Sequence, residues 1–134
     1  MAFEEAEAMS QADDVQQWVA YAEADRRAAE HLFDSGDYSI CAELCQQMLE
    51  KIIKAVIVFR TGERPVYEHN LKKLATEIPE IPDSIIEILL NVSPHYRMAR
   101  YPGLAQLDLY DESLADETLR NTLEAYQWFL RQIK

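Results

Sequence analysis

Between Cys41 and Phe59 the chain carries two stripes of opposite character, and only a helix packed on one side satisfies both. Cys41, Leu44/Cys45, Met48, Ile52, Ala55/Val56 and Phe59 recur at helical spacing and make a continuous apolar face. Beside it run Gln47, Glu50/Lys51 and Lys54. Glu50 precedes Lys54 by four residues, the favourable order for an ion pair along a helix. A run of this length crosses a small domain, and the polar stripe beside its core face can hold a groove, a partner helix or water.

The preceding segment has the same period. Val15, Trp18, Val19, Ala22, Ala29, Leu32 and Phe33 form its inward face. The helix is expected to start near Asp13 or Asp14 and to stop before Gly36, after a lead-in over residues 1–11 without useful periodicity. Asp34-Ser35-Gly36-Asp37 is a short connection, which makes the two helices antiparallel neighbours. Asp25 and Arg26 interrupt the apolar face midway. They sit at the edge of the stripe as partners of neighbouring charges, and Asp25 is placed to face Glu50, Lys51 and Lys54 across the hairpin.

The long helix is expected to run from Asp37 to Phe59, with loop from Thr61-Gly62 onward. A third helix is expected from His69 to Ile78, with Lys72 and Lys73 outside and Pro79 as its stop. Ser84-Ile85-Ile86-Glu87 matches a capping box for a fourth. Its residues Ile85, Ile86, Ile88, Leu89 and Leu90 are apolar nearly all round, which calls for burial by the core or by another subunit. Pro94 fits the first position of a short turn ending at Tyr101-Pro102-Gly103. Residues 103–112 read as loop, and a last helix from about Ser113 turns Leu119, Leu123, Tyr126, Phe129, Leu130 and Ile133 inward. The expected architecture is an all-α, up-and-down bundle of four or five helices, one domain over residues 12–134.

Only three glycines punctuate the 134 residues, as befits long helices. The formal charge is −11, which argues against non-specific binding to long nucleic acid. Residues 38–74 alone are net positive, with six bases against four acids, so a small basic pocket remains compatible. Cys41 and Cys45 lie one turn apart on the apolar stripe without a metal-binding set around them, and read as buried free thiols of a reducing cytosol. No metal or cofactor is expected. The N-terminus has no basic and apolar leader, and the longest apolar run, Ala55 to Phe59, is too short for a membrane span. The expected location is cytoplasmic, without membrane contact.

Several of these residues fall in a recurring order: Trp18, Ala22 and Asp25 with Ala28/Ala29; Ser35-Gly36-Asp37-Tyr38; Gln46-Gln47 with Glu50-Lys51 and Lys54; His69-Asn70-Leu71 with Leu74; and Arg100-Tyr101-Pro102. In that order and spacing the chain resembles the HEPN domain family over about residues 15–131. The resemblance implies a helical bundle, usually a homodimer, found beside a separate small nucleotidyltransferase and in toxin–antitoxin pairs. It also implies nucleotide or RNA binding, and in many members metal-independent ribonuclease activity. That activity is marked by an Arg followed after four to six residues by a His in a late helix, where His moves a proton at the 2′-hydroxyl and Arg stabilises the phosphorane.

Here the late arginines Arg97, Arg100 and Arg120 have no such His, and His95 precedes both Arg97 and Arg100. Arg26 to His31 and Arg64 to His69 fit the spacing outside the family's position, as chance alone allows. His31 reads as a surface residue and His69 as a helix-start or loop anchor. Three functions follow. The first is a non-catalytic nucleotide or RNA binder using Asp25, Gln47, Glu50, Lys51, Lys54, Arg97, Arg100 and Tyr101, with Arg gripping phosphate and Tyr stacking a base. The second is a ribonuclease toxin with the displaced pair His95 and Arg97 or Arg100. The third is a dimerisation scaffold. On the structural account, the polar stripe is instead a satisfied network between the first two helices and Arg100 pairs with an acid of the last helix.

Overall fold

A computed structural model describes residues 10–104 and 107–133, and among them all regular structure is helical. Helix α1 spans Gln11–Ser35, α2 Tyr38–Thr61, α3 Leu71–Ala75, α4 Asp83–Val92, α5 His95–Met98 and α6 Glu112–Arg131, with a 3₁₀ turn at Leu107–Leu109. The all-α bundle expected from the periodicity is present. The short turn after Pro94 is a helix of its own, and the 3₁₀ turn sits in a stretch expected to be loop.

The hairpin of α1 and α2 forms because its turn chemistry is strong. Gly36 adopts φ +83°, which a glycine reaches without a Cβ clash, and its N–H bonds the Leu32 and Phe33 carbonyls to close α1. At the open end of the hairpin Gln11 Nε2 donates to the Val58 and Phe59 carbonyls at 2.8 and 3.0 Å. The Phe59 carbonyl near the end of α2 thereby gains a partner from the other helix, and the Val58 carbonyl gains one beside the Gly62 N–H that it already accepts at 2.8 Å. Helix α1 starts earlier than expected, with Ser10 as its cap accepting from Asp13 N at 3.1 Å. Ser10 and Gln11 therefore belong to the fold and not to a lead-in, while residues 1–9 lie outside the described residues.

The main departure concerns α2. Beyond the expected apolar face, Ala42, Leu49, Ile53 and Ile57 on its other sides are also buried. Helices α1, α3, α4, α5 and α6 all pack against it, so it is the axle of the bundle. Burial on more than one side, by the core or by another subunit, was expected of α4. There Ile85, Ile88 and Leu89 are buried, Ile86 is half-buried and Leu90 is 48% exposed. Burying a side chain such as Leu49 or Ile53 stabilises the fold by roughly 1.5–3 kcal/mol, so the hidden faces of α2 dominate the packing.

Three boundaries differ for local reasons. Helix α3 is shorter than the expected His69–Ile78, because Asn70 caps it by accepting from Lys73 N at 3.1 Å and the chain turns off after Ala75. Ser84 and Glu87 form no capping box: Asp83 and Ser84 are already helical, and Pro82 holds the cap position without a side-chain bond. At α6 Asp111 caps by accepting from Leu114 N at 2.9 Å, which sets the start at Glu112. Helix α6 closes the bundle over α2, with Phe129 and Tyr126 buried and the Tyr126 hydroxyl donating to Glu23 Oε2 of α1 at 2.9 Å.

Cys41 and Cys45 are buried free thiols. Contact with Cys41 and then burial push the Cys45 thiol well up. No helix of the described residues is long and apolar enough to cross a membrane, and no cluster of His, Cys, Asp and Glu among them could hold a metal ion.

Candidate functional site

Of the polar stripe of α2, Glu50 and Lys54 are buried with the neighbouring Gln46, while Gln47 and Lys51 are half-buried. Gln46 is fully buried, and Glu50 and Lys54 are 5% and 6% exposed. Charges in so dry a place require partners. The Glu50 carboxylate has three: Lys54 Nζ at 3.0 Å on Oε2, and His69 Nδ1 at 2.8 Å with Gln46 Nε2 at 3.3 Å on Oε1. Gln46 Nε2 also reaches the His69 carbonyl at 2.8 Å, and Gln47 Nε2 donates to Gln46 Oε1 at 2.8 Å. Lys54 Nζ lies 5.5 Å from the centre of the Trp18 ring, which adds a cation–π contact.

Asp25 meets this stripe at one point only, its Oδ2 accepting from Lys51 Nζ at 2.6 Å. Arg26 pairs with Glu23 and Glu30 of its own helix. Asp25 and Lys51 thus make a separate pair between α1 and α2, while Gln46, Gln47, Glu50, Lys54 and His69 make a network between α2 and the loop before α3, in which His69 Nε2 is buried without a partner. Their mutual bonds leave Glu50 and Lys54 little to offer a ligand.

The segment around α5 is joined to that network through aromatic contacts. His69 stacks on Tyr96 with ring centres 4.1 Å apart and planes 13° from parallel. The Arg100 guanidinium lies over the same Tyr96 ring at 4.5 Å, while Arg100 Nε pairs with Glu43 Oε1 at 3.0 Å. The acid that holds Arg100 therefore comes from α2, not from the last helix as expected. The reason is that α5 packs on α2, which brings Glu43 within reach of the residues that follow α5.

Arg97 points elsewhere, into a cavity of about 670 Å³ lined by Glu68, His69, Asn70, Lys72, Leu90, Ser93, Pro94, Tyr96, Met98 and Leu104. Lys72 of α3 and Arg97 of α5 supply its cations. Both are exposed, and among the described residues neither enters an ion pair. The polar acceptors of the cleft are largely committed to the loop. Ser93 Oγ accepts from Leu71 N at 2.9 Å, Asn70 Oδ1 from Lys73 N at 3.1 Å, and Glu68 Oε2 from His69 N and Asn70 N, both at 3.1 Å. The backbone N–H of Asn70, and then that of His69, hold the Glu68 carboxyl below its ordinary range.

Tyr101 and Arg100 border a different cavity of about 390 Å³ with Pro102, Leu107 and Tyr110. His95 opens on a third, of about 450 Å³, and its Nδ1 lies 2.9 Å from the Tyr110 hydroxyl. Burial pulls the His95 pKa down and pushes that of Tyr110 up. The displaced pair of His95 with Arg97 or Arg100 is not assembled, since the histidine lies 6% exposed under its own helix and each arginine lines a different cavity.

The family model for the HEPN domain matches residues 15–133. The chain belongs to the HEPN domain family. Its structure is similar to that of TT1696 from Thermus thermophilus, at 22% identity and TM-score 0.81 over 88% of this chain and 97% of the other. It is similar also to ST0689, an archaeal HEPN homologue, at 27% identity and TM-score 0.76 over 90% and 98% of the two chains. No curated protein matches.

Within this HEPN domain the two Arg and His pairs of matching spacing are separated by their surroundings. His31 is exposed on α1 while Arg26 is engaged by glutamates, and His69 is turned onto Glu50 while Arg64 is exposed in the loop. Sequence reasoning nominated Arg97 but passed over Lys72, Tyr96 and Gln46, and gave His69 only a structural role. The one signal for Lys72 was the net positive charge of residues 38–74.

Proposed function

We propose that this HEPN domain binds a nucleotide, or the end of an RNA chain, in the cleft between α3 and α5, and that it acts with a separate nucleotidyltransferase in a toxin–antitoxin or stress-response pair. One observation carries the ligand half of this reading. Lys72 and Arg97, without ion-pair partners among the described residues, line one cavity in which Glu68, Asn70 and Ser93 accept from backbone N–H groups and His69 holds Glu50 through Nδ1 while its buried Nε2 has no partner. Arg presents a planar fork suited to phosphate and Lys a mobile point charge. Leu90, Met98 and Leu104 give the remainder of the cleft an apolar lining for a base or sugar, and the volume is in the range of small-molecule sites. Family membership supports the same reading. So does the charge pattern, which places the basic segment here on an otherwise acidic chain.

The test is titration calorimetry with mononucleotides and short RNAs on the wild type and on Lys72→Ala and Arg97→Ala. Each substitution is expected to weaken binding by about tenfold, the loss of one charge-assisted contact. Absence of any heat or thermal shift up to millimolar nucleotide would refute the ligand reading. The partnership is tested by reading the neighbouring frame for a small nucleotidyltransferase and co-purifying its product with this chain; no such frame, or two separate peaks at micromolar concentration, would refute it.

A further inference from the structure

Four aromatic rings stand near the cleft; two of them are already covered and a third, Tyr101, opens on a different cavity. Tyr96 carries His69 stacked on one face at 4.1 Å and the Arg100 guanidinium over the ring at 4.5 Å, so it is filled on both sides. His69 is held between Tyr96 and Tyr67 and tied to Glu50. Tyr101 faces the cavity it shares with Arg100, away from Lys72 and Arg97. The fourth, Tyr67, is 89% exposed, the most open of the large apolar side chains. Its ring meets His69 edge to face, with centres 4.7 Å apart and planes at 79°. In that arrangement one ring spends an edge and the other a face, so Tyr67 keeps at least one face open whichever role it takes.

Tyr67 does not itself line the cleft, but it packs against a ring that does, that of His69. Its neighbour in sequence, Glu68, also lines the cavity. An aromatic face beside paired cations is the arrangement that grips a nucleic-acid unit, base on the ring and phosphate on the charges.

Resting on the nucleotide reading given above, we infer that Tyr67 is the stacking platform for the base, and that the preferred ligand carries a purine with a 5′-phosphate. The phosphate lies between Lys72 and Arg97 and the base leaves the cleft to lie on Tyr67. A purine offers a larger π face than a pyrimidine, and such contacts set preferences through stacking strength rather than through a hydrogen-bond code. The base-reading tyrosine is then Tyr67, in place of the Tyr101 nominated from sequence.

The experiment uses the full chain with two probes, adenosine 5′-monophosphate and ribose 5-phosphate, followed by calorimetry. Tyr67→Ala is expected to lower affinity for adenosine 5′-monophosphate by about tenfold, to the level of ribose 5-phosphate, whose own affinity stays unchanged. Tyr67→Phe should retain wild-type binding, because the ring and not the hydroxyl makes the contact. The melting temperature of Tyr67→Ala should match the wild type, since so exposed a ring contributes little to the core. If Tyr67→Ala binds adenosine 5′-monophosphate as the wild type does while Arg97→Ala loses it, the stacking inference is overturned and the cleft reading stands. If neither probe binds the wild type, both are overturned.

Discussion

Replacing Glu50 by Gln should be among the most damaging single changes in the protein, although it alters only one oxygen. The carboxylate is the shared acceptor of Lys54 Nζ, His69 Nδ1 and Gln46 Nε2, and the side chains of Glu50 and Lys54 are each only 7% exposed. An amide in its place leaves the Lys54 ammonium buried without a counter-charge. Removing one member of a buried pair costs about 3–5 kcal/mol, several times the worth of an exposed pair. For a domain of this length each kcal/mol lowers the melting temperature by roughly 3–5 °C, so the loss should be about 10 °C or more. Thermal melts followed by circular dichroism measure it directly. The companion variant is Glu50→Leu with Lys54→Met, which removes both charges and keeps apolar bulk; it should recover much of the loss, since apolar replacement of a buried pair is often neutral. A melting temperature for Glu50→Gln within about 3 °C of wild type, or a double variant as unstable as the single, would refute the claim that this stripe is a desolvated charge network.

Three further outcomes follow from named contacts. Gly62 closes α2 at φ +74°, and a Cβ there would come within 3.3 Å of Gln11 Oε1, whereas Gly36 at φ +83° faces open space. Gly62→Ala should therefore lower the melting temperature more than Gly36→Ala, which costs only the left-handed backbone term of about 1–2 kcal/mol; equal effects would mean that the Gln11 anchor is irrelevant. Burial lowers the His95 pKa, so below about pH 6.5 the unfolded chain takes up a proton that the folded chain resists. Stability should fall as pH drops from 7 to 5, and His95→Gln should flatten that slope; an unchanged slope would show that His95 does not contribute to it. Asp25→Ala breaks the pair with Lys51, whose side chain is 26% exposed. It should cost only about 1 kcal/mol and leave nucleotide affinity untouched, and a marked loss of affinity would return the stripe to the binding site.

The parts of this fold legible in the sequence are those fixed by local chemistry. Ser35-Gly36-Asp37 announced the hairpin because few residues besides glycine take up the left-handed conformation found there. The apolar period of α6 named its inward residues correctly, Leu119, Tyr126 and Phe129 among them. Less legible was anything decided by which element packs where. Glu50 and Lys54 belong to a stripe that in sequence can face a groove, a partner helix or water, and the packing of His69 on Glu50 and of Trp18 on Lys54 makes them interior. Asn70 looked like the second residue of a helix and proved to be its cap. The same limit divided the proposed site residues: Asp25 and Lys51 meet as expected, whereas Arg97, Arg100 and Tyr101, close in sequence, open on two different cavities because Arg97 lies in α5 and the other two lie beyond its end. Tyr67 carried no periodic signal, and Lys72, read as an outward residue of a basic segment, was tied to the cleft only once the loop before α3 was in place.

The most direct test of the cleft reading is a titration of adenosine 5′-monophosphate into ¹⁵N-labelled protein, followed by amide chemical-shift mapping. Shifts are expected to concentrate at residues 67–72 and 93–98, with the side-chain Nε signal of Arg97 moving in step. Shifts centred on Asp25 and Lys51, or on the cavity beside Tyr101, or none at saturating nucleotide, would contradict the account.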